Sequence, residues 1–226
     1  MVKIKHIGSE LAIWFKQVFC IKNCWILLPG FLSVILVYAV HHFNIYPWFA
    51  TKLFHESLAP WLVLMIFVIF LTTSLISRDS LMIYLAALAL VFLIRELDAT
   101  VFTIFGGEYL FKSKSLLAWL LAGMGLWAYG WHEKFFVCFN RSITLKVLLF
   151  GSLWTYFFSQ LIARRAFRGI LPDEQLLHIP LEEAAENAAH LFFLWCALFC
   201  FFFYTTRKAI KTHIVSSDVE PGDTIG

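Results

Sequence analysis

Six apolar stretches, each about 17 to 23 residues long, leave this chain few ways to fold. They run from Trp25 to Phe43, Leu58 to Ile76, Ser80 to Phe102, Ser115 to Trp131, Ile143 to Ile162 and Glu183 to Tyr204. At a rise of about 1.5 Å per residue, a helix of that length crosses, or nearly crosses, a hydrocarbon core about 30 Å thick. No water reaches the backbone there, so each stretch has to be a helix that satisfies its own N–H and C=O groups.

Composition agrees. Of 226 residues, 61% are hydrophobic and 15% charged, and the mean hydropathy is +0.78, outside the range of soluble domains. The 25 Phe and nine Trp suit helices whose outer faces touch lipid. The expected fold class is an all-α integral membrane protein of six transmembrane helices. The net charge of +3 is spread over the ends of the stretches rather than gathered in a patch, which argues against nucleic-acid binding.

From Ser9 to Lys22, Leu11, Trp14, Phe15, Val18 and Phe19 recur at three- and four-residue spacing, with Glu10, Lys16, Gln17 and Lys22 on other faces. This periodicity predicts an N-terminal amphipathic helix lying in the membrane interface, and it also fits an extension of the first span. Residues 1–24 lack an early apolar run and a small-residue cleavage site, so no cleaved signal peptide is expected. The expected organisation is a cytoplasmic amphipathic helix over 1–24, a six-helix transmembrane domain over 25–204 and a disordered cytoplasmic tail over 205–226. Pro60, Asp79, Ser113 and Pro180 read as starts of the second, third, fourth and sixth helices.

Counting Lys and Arg on alternate sides gives the orientation. Eleven fall with the termini and six on the other side, and Arg95 lies within a span. The bias places both termini in the cytoplasm, as in a bacterial inner membrane. Cys20, Cys24, Cys138, Cys196 and Cys200 then lie on or toward the reducing side, and no disulfide is expected.

Against this background a few ionisable groups stand at membrane depth, where they are expensive and mark either a site or a mutual pairing. Arg95, Glu96 and Asp98 lie near the end of the third span; Glu183, Glu186, Asn187 and His190 lie near the start of the sixth. With the third span leaving the cytoplasm near Ser80, Arg95 sits about 22 Å across. Glu186 and His190 reach a similar depth from the outside, about 5 and 10 Å below the boundary. Glu183, Glu186, Asn187 and His190 share one helical face through their i, i+3, i+4, i+7 spacing. If the two faces meet, Arg95 pairs with Glu183 or Glu186; a local pair with Asp98 and snorkelling to the outer headgroups are the alternatives. Glu182 and Glu183 also read as first-turn carboxylates favoured by the helix dipole. His41, His42, Gln160 and Arg164 are delivered to the same outer side and could complete a polar cup.

Haem is excluded, because only His190 is clearly intramembrane, and no nucleotide-binding motif is present. Carboxylates with an imidazole suit zinc, iron or manganese, but no HExxH or paired ExxH spacing occurs, so a metal has only weak support. Cys20/Cys24 and Cys196/Cys200 read as packing pairs. Ala118, Ala122, Gly123 and Gly125 predict close approach of a neighbouring helix. Arg164, Arg165 and Arg168 run against the positive-inside bias, which points to holding lipid phosphates or to local pairing with Asp173 and Glu174. The function these residues imply is an outer-facing charged site for a small ligand, a proton or a lipid headgroup, with the lipid bilayer as surroundings. A metal-dependent, membrane-embedded lipid hydrolase and a structural or assembly subunit with a closed ion-pair network are the alternatives.

Overall fold

The computed structural model describes residues 12–13, 16, 28–45, 48, 51–97, 113–131, 133–135, 137, 142–170 and 174–217. Six helices account for nearly all of them: α1 Leu28–His42, α2 Lys52–Ser77, α3 Ser80–Glu96, α4 Ser113–Gly130, α5 Ile143–Ala163 and α6 Glu174–Ser217. Three are long and apolar enough to cross a membrane: α2, α5 and the Leu176–Thr206 portion of α6. The expected amphipathic helix before the first span falls almost wholly outside the described residues.

Side-chain caps set several helix starts. Thr51, in extended conformation, accepts the Phe54 N–H at the start of α2, and Ser142 does the same for Leu145 in α5. Asp79, expected as a start, accepts the Leu81 N–H at 3.0 Å at the head of α3. Pro60 and Pro180 correct the sequence reading. Both lie inside helices, which begin well before them at Lys52 and Glu174. Each deprives the carbonyl four residues back of its N–H, a loss these long helices absorb. Glu182 and Glu183 are therefore not in a first helical turn, and the helix-dipole account of them fails.

Helix α6 is the organising element: α5, α2 and α1 all pack along it, α3 packs on α2, and α4 leans on α3. Its buried small residues, Ala184, Ala185, Ala188 and Ala189, allow close helix approach, and the Ser152 hydroxyl of α5 donates to the Ala189 carbonyl at 3.0 Å. Two apolar clusters form around its two ends. One gathers Val34 and Val37 of α1 with Phe158, Ile162, Leu177, Leu181, Ala184 and Ala185. The other gathers Phe70, Met82, Leu85 and Leu149 with Phe193, Cys196, Ala197 and Cys200. Cys196 and Cys200 are thus packed in the core, as their spacing suggests. Large apolar side chains such as Leu53, Trp61, Leu75, Trp195 and Phe202 point outward and are more than half exposed, which fits a lipid-facing surface.

On α4, a Cβ placed on Gly123 or Gly125 meets no atom of the described residues within 4 Å.

Candidate functional site

Between the two apolar clusters, α6 presents Glu186, Asn187 and His190, each 3–4% exposed. Such burial demands partners, and they come from three other helices. Arg95 reaches from the last turn of α3, where its Nη2 donates to both Glu186 oxygens, at 2.9 and 2.8 Å. One nitrogen spans the whole carboxylate, which leaves Nη1 to donate to the Tyr156 hydroxyl of α5; the guanidinium also lies 5.3 Å from that ring's centre. One turn further along α5, Gln160 Nε2 donates to Glu186 Oε1 at 3.1 Å. The result is a closed frame in which a cation and an anion, joined by charge-assisted hydrogen bonds, tie α3, α5 and α6 together. The backbone of α3 packs mainly on α2 and α4, so the long arginine stem carries its charge across to Glu186 on α6.

Glu96 and His190 form a different kind of pair. Glu96 Oε1 lies 3.7 Å from His190 Nε2 and 3.8 Å from Arg95 Nη1. Both Glu96 Oε1 and His190 Nε2 are buried, and neither has a hydrogen-bond partner among the described residues. Phe92 stands edge-on to the imidazole, its centroid 6.5 Å away. Two titratable groups thus face each other across a distance too long for a hydrogen bond and too short for mutual indifference.

Asn187 turns aside. Its Nδ2 donates to the His55 carbonyl of α2 at 2.9 Å and lies 3.4 Å from His55 Nδ1. At the opposite end of the bundle the Tyr204 hydroxyl of α6 donates to Asp79 Oδ2 of α3. The two polar ties between α3 and α6 are 16 residues apart on one helix and 18 on the other, which corresponds to about 24–27 Å, close to a hydrocarbon thickness.

Of the seven residues expected to form the site, the structure brings Arg95, Glu96, Glu186 and His190 together. Asn187 belongs to a separate contact with α2. Glu183 is half-buried, and it is Glu186 that holds Arg95. Asp98 lies outside the described residues, so its pairing with Arg95 does too; the same is true of the Asp173 and Glu174 side chains. His41 and His42 stand exposed at the end of α1, where His42 stacks on Tyr38, and Arg164 is exposed as well; of the four extra candidates only Gln160 joins. Sequence reading missed Tyr156, although its spacing from Gln160 is i, i+4. It also missed His55, which reads as a loop residue when α2 is started at Leu58 but is 2% exposed. Lys146, in the first turn of α5, is 4% exposed.

Among the described residues, no three His, Cys, Asp or Glu side chains are grouped so as to hold a metal ion. The chain matches no protein-family model, no curated protein and no solved structure.

Proposed function

We propose that this is a six-span protein of a bacterial inner membrane, both termini cytoplasmic, whose outer-side charged cluster takes up and releases a proton. Glu96 and His190 are the pair that holds the proton, and Arg95, Glu186, Tyr156 and Gln160 are the fixed frame beside it. The observation that carries this reading is the buried 3.7 Å approach of Glu96 Oε1 and His190 Nε2, both without hydrogen bonds among the described residues. Charge counting supplies the reason: one guanidinium faces two buried carboxylates, so the cluster carries one excess negative charge while His190 is neutral. A single proton delivered to the pair cancels it, and in a low-dielectric setting cancellation is strongly favoured. The half-buried Glu183 near the same end of α6 adds negative potential in the same sense.

The frame around Arg95 and Glu186 also favours a second reading, an assembly subunit whose charges form a closed ion-pair network. The metal-dependent hydrolase draws no support from the ligand geometry of the described residues. The experiment that separates proton handling from a closed network is infrared difference spectroscopy of the purified protein between alkaline and acidic pH, wild type against Glu96→Gln.

A further inference from the structure

Beyond the proton site, we infer that the turn following α5 binds the headgroup of an anionic phospholipid. Residues 164–170 form a tight, hydrogen-bonded turn: the Arg165 N–H donates to Ile162 O at 2.8 Å, Ala166 to Leu161 O at 3.0 Å, and Arg168 to Arg165 O at 3.1 Å. Phe167 points inward against Phe158, ring centroids 5.5 Å apart, and anchors the turn to the apolar cluster at that end of the bundle. Arg164, Arg165 and Arg168 point outward and are exposed. Among the described residues none of them forms an ion pair; Arg165 Nη2 lies 3.5 Å from His178 Nε2.

Two features mark this as more than a solvated loop. Arg165 has φ 54°, in the left-handed region where glycine or asparagine is less strained. A guanidinium is nevertheless held there, between two others within five residues, and their mutual repulsion favours an anion between them. On the orientation proposed above these arginines also oppose the positive-inside bias, so insertion does not account for them. The turn closes a helix long and apolar enough to span the bilayer, with Ile170 beside it 73% exposed. That placement puts the guanidiniums level with lipid phosphates and the isoleucine among the acyl chains.

The test is titration of the purified full-length protein in neutral detergent with short-chain phosphatidylglycerol, phosphatidylcholine and inorganic phosphate. Three guanidiniums at about a fivefold gain each predict roughly 100-fold tighter binding of phosphatidylglycerol than of phosphatidylcholine. The variant R164Q/R165Q/R168Q brings the two lipids level, and R164K/R165K/R168K keeps most of the preference. Should the triple glutamine variant fail to fold, R168Q alone is expected to lose about fivefold. Equal binding of the two lipids by wild type, an unchanged preference in the glutamine variants, or inorganic phosphate binding as tightly as phosphatidylglycerol overturns the inference.

Discussion

Arg95 and Glu186 offer the sharpest energetic test of the frame, because their surroundings are unequal. Removing one partner of a buried ion pair costs roughly 3–5 kcal/mol, mostly because the other charge is left uncompensated. The Glu186 side chain is 5% exposed, and without Arg95 its carboxylate keeps, among the described residues, only Gln160 at 3.1 Å. Arg95→Met therefore belongs near the upper half of that range, about 4 kcal/mol. Arg95 itself is 26% exposed, keeps the Tyr156 hydroxyl, and has Glu96 at 3.8 Å as a substitute anion. Glu186→Gln is accordingly milder, about 2 kcal/mol. The double variant leaves neither charge of the pair stranded and should cost about 3 kcal/mol rather than the sum of about 6. Equilibrium unfolding in mixed micelles, followed by tryptophan fluorescence, measures all four proteins. Additivity within about 0.5 kcal/mol, or a larger loss for Glu186→Gln than for Arg95→Met, would refute the reasoning.

The same assay reads two further ties. Tyr204→Phe removes a hydroxyl-to-carboxylate hydrogen bond and should cost about 1.5 kcal/mol, whereas Asp79→Ala also removes the cap on α3 and should cost about 1 kcal/mol more. Asn187→Ala, which deletes the bond to the His55 carbonyl, should cost about 1–2 kcal/mol and leave the spectroscopic signature of Glu96 and His190 unaltered, since its contact lies with α2.

Much of this arrangement is legible in sequence because membrane depth is a one-dimensional ruler. Residue counting alone levels Arg95 with Glu186 and His190, and the energetic penalty on isolated charges makes their meeting the natural outcome. Depth does not give the angle around a helix or the neighbour it faces. That is why Glu183 and Glu186 stay interchangeable on paper, and why Asn187, on the same face by spacing, goes to α2 instead. Tyr156 escapes notice because an amphipathic aromatic among Phe150, Trp154, Phe157 and Phe158 carries no contrast. His55 escapes because Pro60 looks like a helix start; only the Thr51 cap, nine residues earlier, reveals that α2 has begun. The arginine turn was visible as an exception to charge bias, but its fixed, outward-facing geometry depends on the Phe167 anchor, a tertiary contact no local pattern encodes.

The central claim is that Glu96 and His190 hold one exchangeable proton because the cluster they belong to carries one excess negative charge. Infrared difference spectra between alkaline and acidic pH test it directly. Wild type should show carboxyl and imidazole bands changing together over one pH interval. In Glu96→Gln the frame is neutral without help from His190, and both bands should vanish while the protein stays folded. A wild-type spectrum without such bands, or bands that persist unchanged in Glu96→Gln, would contradict the account and leave the cluster as a structural tie.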